Sequence, residues 1–387
     1  MTWLDDIPVE EVLVVDELRK RTIDDCTPKM LEDPALFYRF LKARNFNLKN
    51  AEAMLRKHIQ WRKELEVDTI LTDYKTPEVL QKYFSTGHIG FDKEGCPVSY
   101  SSVFKMDTNG IIKSCRDIDF LKQCICVTNR DLEKMFERNH KTGEFISRIV
   151  YIYDMVGMTI AKATHKKSLE IVMEWITMFQ NNFPERMKTV YVINAPSYFS
   201  VLFAIVKIVI SSDLLKKIQI VGPEKVKETL LETIDADVLP AFLGGNRTDP
   251  DGDPLCKTFI CHGGTIPTQY YLSKKSIKQE DNVEYLCVLR NSQVEIVVNV
   301  EVPGSALMWE FETTNKDIGF GVYFQTDAGE FIELICKKRI ETTWAPEMGL
   351  HACEKSGSYV LIFDNTYSWF YTKEIYYRIK IILPTTE

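Results

Sequence analysis

The residue types that most often carry catalysis are present in this chain, but they stand apart from one another. Six histidines are scattered singly along the sequence: His58, His88, His140, His165, His262 and His351. A catalytic acid, base or nucleophile works through a partner within hydrogen-bond reach, and no motif places one beside them. Asp154 ends a predicted strand, where α/β enzymes often carry catalytic groups, yet it too lacks a titratable neighbour in the pattern. The sequence therefore predicts no catalytic residue and no enzymatic activity.

Motifs for metal and nucleotide chemistry are also missing. The ten cysteines include no Cys-x-x-Cys pair, and the close pairs Cys124/Cys126 and Cys256/Cys261 have no suitably spaced histidines. We therefore expect reduced thiols, no metal site and no cofactor. There is no Walker A sequence, no Gly-x-Gly-x-x-Gly after the first predicted strand and no Gly-x-Ser-x-Gly elbow. The formal net charge of -7 argues against a nucleic-acid partner, because phosphate binding needs an electropositive face.

The most distinctive stretch is 183–222, in which an apolar segment lies between two predicted strands. Residues 198–210 are apolar nearly all round and are interrupted only by Ser200, Ala204 and Lys207. A helix without a polar face must lie in a core or meet something apolar. This one is shorter than the roughly 20 residues that span a bilayer. Three interpretations stay open: a core helix, a lid over an apolar ligand, or a surface that touches membrane.

Four regions that differ in pattern make up the chain. Residues 1–75 are predicted to be helical, with helix starts at Asp33-Pro34 and at Asn47. In residues 76–245 strands alternate with helices, which predicts an α/β domain with a mostly parallel sheet. The turn formers RTDPDGDP open a predicted linker over 246–274. Period-two alternation over 275–387 then predicts an all-β sandwich.

Several long motifs, in a fixed order, resemble one family. FLKARNFNLKNAEAMLRKHIQWRK, FPERMKTVYVINAPSYF, KKIQIVG and VLPAFLGG resemble the CRAL-TRIO lipid-transfer family. DPDGDPLCKTFICHGGTIPTQYY, DIGFGVYFQT and FDNTYSWFYTKEIYYRIKIILP resemble the linker and the GOLD (Golgi dynamics) domain that follow it in animal members that carry tocopherol or retinal. The resemblance implies an α/β CRAL-TRIO domain with an N-terminal helical subdomain, followed by a GOLD sandwich. It also implies a non-enzymatic carrier whose apolar cavity is closed by a mobile gate helix at 196–210.

The resemblance further implies a polar set for a lipid headgroup. The positions used by phosphatidylinositol-binding members are occupied here by Arg44, Glu185, Arg186 and Lys217. Five neighbouring positions depart from the phospholipid-binding patterns: Asn45, Ser99, Ile149, Tyr151 and Leu214. The departures put phosphatidylcholine binding in doubt, while phosphatidylinositol remains a candidate ligand. A plain structural ion pair between Glu185 and Lys217 is the alternative.

An apolar cavity should be lined by the aromatic face of one strand and by the apolar helices above it. Tyr151 and Tyr153 share a strand face, opposite Val150 and Ile152. If that face lines the cavity, it suits an isoprenoid, tocopherol-like or retinoid ligand; the alternative is ordinary core. The expected lining residues are Tyr151, Tyr153, Trp175, Phe179, Ile193, Phe199, Phe203, Val206 and Ile210.

These patterns predict a carrier of a hydrophobic small molecule or phospholipid. The candidate ligands are a retinoid, a tocopherol, squalene or a similar isoprenoid, and phosphatidylinositol. The acidic N-terminus lacks a basic region followed by an apolar one, so we expect a cytoplasmic protein in transient peripheral contact with membranes. A regulatory adaptor, in which lipid occupancy is read by a protein partner through the GOLD domain, is the alternative function.

Overall fold

The computed structural model describes residues 8–272, 276–314 and 317–384. The chain forms two compact units, Met1–Tyr270 and Tyr271–Glu387. Each is described by itself.

Helices build the start of the first unit. Their bounds are α1 Val9–Thr22, α2 Pro28–Leu31, α3 Leu36–Lys42, α4 Leu48–Glu64 and α5 Glu78–Tyr83. Asn47 caps α4 as predicted, because its side chain accepts a hydrogen bond from the Asn50 amide at 3.0 Å. The helix predicted at Asp33-Pro34 begins later, at Leu36. α1, α3 and α4 pack around Leu18, Phe40 and Leu55, which are fully buried.

Strands and helices then alternate. In chain order the elements are β1 Thr86–Phe91, β2 Pro97–Ser102, α6 Thr108–Ser114, α7 Asp117–Thr142, β3 Ile149–Asp154, α8 Ile160–Ala163, α9 Lys166–Asn182, β4 Met187–Ile193, α10 Phe199–Val206, α11 Ser212–Leu215, β5 Ile218–Ile220, α12 Val226–Thr233 and β6 Ile260–Cys261. They form a six-stranded sheet in the order β5-β4-β3-β2-β1-β6. β2 to β5 run parallel, and β1 and β6 pair antiparallel at one edge. The predicted α/β domain is confirmed.

The two faces of this sheet support two separate cores, because successive side chains of a strand point to opposite faces. On one face Tyr151 and Val190 pack with α7, α9 and Phe199 of α10. On the other face Val150 and Ile152 pack with α12 and the chain that follows it. The predicted separation of Tyr151 and Tyr153 from Val150 and Ile152 is confirmed.

Residues 246–270, predicted as part of a linker, pack against the first unit instead. Cys256 is fully buried and Ile260 is 2% exposed in the second of the two sheet cores. Ile260 pairs with Gly87 of β1, where a side chain on residue 87 would come within 2.6 Å of an Ile260 side-chain carbon. The turn-rich segment therefore completes the sheet and supplies its sixth strand.

A buried ion cluster joins the N-terminal helices to the sheet. The Asp33 carboxylate accepts hydrogen bonds from Arg39 of α3 and from Arg186, just before β4, the latter at 2.7 Å. Arg39 also donates to the carbonyl of Pro184, and Arg186 to that of Ser147. Burial alone would raise the pKa of the Asp33 carboxyl, but the two guanidinium charges outweigh it and hold that pKa below its usual value. Burial and the nearby Arg39 charge lower the pKa of Arg186 to about 9.

In the second unit, the regular elements of the described residues are strands. They are β7 Glu284–Val288, β8 Gln293–Val300, β9 Ser305–Thr313, β10 Asp317–Gln325, β11 Phe331–Glu341, β12 Glu347–Cys353, β13 Gly357–Asp364 and β14 Lys373–Ile382. Two antiparallel four-stranded sheets, β11-β10-β13-β8 and β12-β9-β14-β7, enclose one core. Phe311 of one sheet lies 4.7 Å from Phe320 and 5.1 Å from Phe363 of the other, between ring centroids. The predicted β-sandwich is confirmed.

Within the described ranges, no helix has both the length and the hydropathy needed to cross a bilayer.

We predict that Asp33→Asn destabilises the first unit by roughly 3–5 kcal/mol, because it leaves two buried arginines without a counter-charge. Urea denaturation followed by tryptophan fluorescence measures the change. The matched control is Asp213→Asn, which loses an exposed ion pair with Lys216 and should change stability little.

The same variant should alter the acid limb of the stability curve. The folded-state pKa of Asp33 is lowered. Its contribution is therefore complete above the pKa of an unfolded aspartate, about 3.9, and is lost as the pH falls through the lower folded value. The Asn variant should lack this component, and equal acid sensitivity of both proteins would contradict the role of Asp33.

Candidate functional site

The apolar segment at 196–210 lies over the carboxyl ends of the parallel strands. It contains α10 and one turn of 3-10 helix, Lys207–Val209. Three side-chain hydrogen bonds hold its ends. The Tyr198 hydroxyl donates to the Met158 carbonyl at 3.0 Å. The Gln180 amide of α9 donates to the Val209 carbonyl and accepts from the Ser211 amide, both at 2.8 Å. Between these two attachments the helix makes apolar contacts.

The described side chains of α10 are apolar on the inner face, and on the outer face all but the exposed Ser200 are apolar. Phe199 and Phe203 point inward and stack at 5.7 Å between ring centroids, and both pack in the core beneath. Ala204 and Ile205 are exposed on the outer face, and Ile208 just beyond it is 80% exposed. An outward isoleucine gains nothing from water, so this surface favours contact with another apolar phase.

Further exposed apolar residues lie at the same edge of the sheet. Val156 and Ile160, which is 60% exposed, follow β3, and Ile220 ends β5. The carboxyl ends of parallel strands meet at one edge, so these residues flank α10, which follows β4. The contact of Tyr198 with Met158 confirms that the chain after β3 reaches the segment. The edge of the sheet therefore presents a broken apolar surface around α10.

Beneath α10 the core is a continuous set of aromatic rings. Tyr151 and Tyr153 stack with centroids 6.1 Å apart. Trp175 lies edge-on to Tyr153 at 5.7 Å, and Phe179 lies edge-on to Tyr151 at the same distance. Phe183 extends the series at 5.2 Å from Phe179. The structure thus brings together Tyr151, Tyr153, Trp175 and Phe179 as expected, under Phe199 and Phe203.

Ile193 does not belong to this set. It is fully buried on the opposite face of the sheet, among the residues that pack with α12. Val190 and Val192 of the same strand occupy the aromatic face instead, because alternate residues of a strand face opposite ways. The prediction that Ile193 lines the cavity is therefore wrong. Val206 and Ile210 are half-buried at the outer end of the apolar segment.

Two phenol hydroxyls belong to the aromatic core, those of Tyr151 and Tyr153. Tyr151 is 4% exposed, and its hydroxyl makes no hydrogen bond of good geometry to a described residue, although the Thr128 hydroxyl lies beside it. Burial raises the pKa of this phenol well above its ordinary value, so the hydroxyl stays protonated and is available as a donor. A buried unpaired hydroxyl costs free energy. The position is therefore suited to a ligand that brings an oxygen.

The predicted headgroup residues are only partly brought together. Lys217 donates to the Glu185 carboxylate at 3.3 Å, and both side chains are 22% exposed. Glu185 has a φ of +57°, a left-handed conformation that costs a non-glycine residue free energy. Arg186 is instead engaged in the ion cluster with Asp33, and Arg44 donates to the carbonyl of its neighbour Ala43.

Two residues that hold the segment in place were missed by sequence reasoning. Tyr198 lies in the quoted motif FPERMKTVYVINAPSYF but gave no sign that its hydroxyl would bond a distant carbonyl. Gln180 is one of several polar residues of α9, and nothing in its spacing marks it. The only available signal was a polar side chain beside an otherwise apolar segment.

Two cavities border the aromatic core or the ion cluster. A cavity of about 190 Å³ lies between the N-terminal helices and the α/β domain, next to Asp33 and Arg186. A second cavity of about 30 Å³ lies beside Trp175. Neither is lined by a described side chain of α10, and an organic ligand occupies roughly 300 Å³ or more. Neither cavity as it stands therefore has the size of an ordinary ligand site. Within the described ranges, no three His, Cys, Asp or Glu side chains are grouped to hold a metal.

Comparison with known proteins places this architecture. Residues 81–245 match the family model described as the CRAL/TRIO domain, and residues 15–57 match the CRAL/TRIO N-terminal domain. The solved structure of Sfh5 superposes with a TM-score of 0.51 over 68% of this chain and 94% of that one. At 15% identity this likeness concerns the fold alone.

Curated relatives extend the similarity along the chain. The protein ctg-1 of Caenorhabditis elegans is 25% identical over 348 residues, which cover 89% of this chain and 90% of that protein. The protein real-time of Aedes aegypti is 30% identical over 329 residues, which cover 82% of this chain but only 49% of that longer protein. The two family models together match more than half of the chain. The chain therefore belongs to the CRAL-TRIO family, which binds lipophilic ligands and transfers them.

Proposed function

We propose that this protein carries one hydrophobic ligand beneath α10 and exchanges it at membranes, with the 196–210 segment as a gate. The observation that carries the proposal is the character of α10. The helix is apolar inside, at Phe199 and Phe203, and outside it exposes Ala204 and Ile205, with Ser200 as the one polar side chain described there. A core helix needs only an apolar inner face. An apolar outer face has a use if the helix contacts membrane when it moves.

Hydrogen bonds at both ends of the segment fit a hinged movement. The bonds of Tyr198 and of Gln180 tie the two ends, while the helix between them relies on apolar contacts, which a membrane can replace. Burial of hydrocarbon gains about 25 cal/mol per Å². When the gate moves, its apolar side chains can leave the aromatic rings for the membrane, and the ligand can take their place on the rings. Apolar contact is then kept throughout the exchange.

The chemistry beneath the gate favours an isoprenoid ligand with one oxygen, such as a tocopherol or a retinoid. The aromatic rings supply flat apolar surface, and the Tyr151 hydroxyl supplies one donor. Squalene would leave that donor unpaired. Phosphatidylinositol is the second candidate ligand, with Lys217 as the phosphate contact and Glu185 as acceptor for inositol hydroxyls.

The β-sandwich is proposed to be a GOLD domain, on the resemblance of its motifs. The protein is proposed to act in the cytoplasm, in transient contact with membrane surfaces.

Native mass spectrometry of freshly purified protein tests the carrier function. We expect a bound species of lipid mass that is lost on organic extraction. Protein that is free of ligand and that binds no retinoid, tocopherol, squalene or phosphatidylinositol on titration would refute the proposal.

We predict that Ile208→Asp slows ligand transfer between vesicles at least about fivefold, because a carboxylate is costly at an apolar membrane contact. Ligand affinity in solution should change much less, since Ile208 is 80% exposed. The control is Leu13→Asp, which changes a leucine that is 65% exposed on α1, and it should transfer normally. A normal transfer rate in Ile208→Asp would contradict the gate assignment.

We predict that Tyr151→Phe lowers affinity for tocopherol or retinal roughly fivefold, the value of one neutral hydrogen bond. Affinity for squalene, which has no oxygen, should stay the same, so the hydrocarbon is the internal control. The unliganded variant should be as stable as the native protein or more so, because it removes an unpaired buried hydroxyl. Fluorescence titration and thermal unfolding supply the measurements. Equal losses for both ligands would mean that Tyr151 acts only through packing.

We predict that Lys217→Ala weakens phosphatidylinositol binding roughly tenfold through loss of a charge-assisted hydrogen bond, while binding of an apolar ligand is spared. The control is Lys216→Ala, the adjacent lysine, whose side chain is 73% exposed and pairs with Asp213. Lipid-transfer assays with each ligand measure both effects. If both ligands lost affinity together, the Glu185–Lys217 pair would be structural.

A further inference from the structure

The second unit has an apolar tip made of two loops. The loop 289–292 joins β7 to β8, and the loop 365–372 joins β13 to β14. Four large apolar side chains of these loops are strongly exposed: Leu289 at 61%, Trp369 at 75%, Phe370 at 83% and Tyr371 at 68%. Three consecutive exposed aromatic residues form a contiguous patch, unlike single exposed apolar residues, which need no explanation.

The tip is held in a defined conformation. Asn365 is fully buried, and its side-chain amide donates to the carbonyls of Val288, Leu289 and Tyr371 at 2.8–3.2 Å. Ser368 closes the loop, since its hydroxyl donates to the Tyr371 carbonyl and accepts from the Tyr371 amide. The aromatic side chains are therefore exposed on a loop whose conformation is fixed by hydrogen bonds at Asn365, Ser368 and Tyr371.

The two loops are also tied to each other. The Asn291 amide donates to the Ser368 carbonyl at 3.0 Å, and the Asn365 amide donates to the Ser292 carbonyl at 2.8 Å. Leu289 and Trp369 therefore belong to one surface element. The backbone groups paired in this way lose no water partner when the loops meet an apolar medium, where unpaired amides and carbonyls are costly.

The charge of the tip is positive. Arg290 is the sole ionisable residue other than tyrosine in the sequences LRNS and NTYSWFYT of the two loops, and it is exposed. Below the tip, Lys373 pairs with Asp317, and Lys337 pairs with Asp364. Arg339 also pairs with Asp317, so these pairs at the base contain one cation in excess, and the tip carries a further cation beside its aromatic residues.

We propose that this tip inserts into the interface of an anionic lipid bilayer. Tryptophan and tyrosine favour the headgroup level of membranes, where one part of the ring is apolar and another is wet, and a cation beside them attracts anionic headgroups. The tip gives the protein a membrane contact in its second unit, separate from the proposed gate in the first. It deepens the proposed carrier function, on which its biological use rests, but it needs no ligand to operate.

Binding of the full-length protein to vesicles tests the proposal. The vesicles contain phosphatidylcholine with about 30% phosphatidylserine, an anionic surface. The double variant Trp369→Ser/Phe370→Ser should bind about tenfold more weakly, since it removes most of the inserted apolar area. The control is Leu350→Ser, which changes a 60% exposed leucine on β12 and should bind normally. Unchanged binding of the double variant would overturn the proposal. This is also the result expected if the tip binds a protein partner instead of a membrane.

A second variant locates the tip in the bilayer. Trp369→Phe keeps an aromatic side chain but removes one fluorophore. Vesicles of brominated lipid should quench a component of the native protein's fluorescence that Trp369→Phe lacks, while the binding of the variant stays near normal. Binding without this quenched component would mean that another surface makes the contact, and it would overturn the proposal.

The electrostatic part has its own readout. Arg290→Gln should weaken binding to the anionic vesicles several-fold and leave binding to pure phosphatidylcholine unchanged. Equal losses on both would exclude charge attraction at the tip. These measurements use no transferred ligand. Membrane insertion of the tip can therefore be confirmed even if the protein transfers no ligand. If the tip does not bind vesicles, the proposed carrier function is unaffected.

Discussion

The buried carboxylate of Asp33 is the interaction on which the first unit depends. It holds one arginine from the N-terminal helices and one from the start of β4. Those two arginines also bond the carbonyls of Pro184 and Ser147. The chain around residue 185 is thereby fixed from both sides, and Glu185 is kept in a left-handed conformation beside Lys217. Two arginines and one carboxylate, all buried, tolerate little change, because loss of the carboxylate leaves like charges together.

The alternation of the strands determines what lies beneath α10. One face of the sheet is committed to ordinary packing with α12 and with residues 246–270. The other face carries Tyr151 and Tyr153 and meets α7, α9 and α10. Since the first face is covered by the chain itself, the proposed ligand site lies on the aromatic side. There the rings pack on one another, and the Tyr151 hydroxyl makes no hydrogen bond of good geometry to a described residue.

Prediction from sequence was most successful where local patterns repeat. The parallel sheet, the β-sandwich and the shared face of Tyr151 and Tyr153 follow from periodicity, which is a property of consecutive residues. It was least successful where distant segments meet. Residues 246–270 have the composition of a linker, yet Cys256 and Ile260 are buried against β1 and its neighbours. Arg186 was assigned with Glu185 because the two are adjacent in a motif, but its partner is Asp33, 153 positions away.

By itself, the sequence determined N-terminal helices, an α/β domain with an apolar helix after a buried strand, and a β-sandwich, and its motifs indicated the CRAL-TRIO family. Period and composition suffice for that, because they report which residues avoid water. Only the tertiary structure decided which side chains share a face, as with Val192 in place of Ile193, and which polar groups find partners. Those outcomes depend on strand order, on register and on contacts between residues far apart in the chain. A local sequence pattern does not contain these contacts, because each one depends on which distant segment packs against the residue.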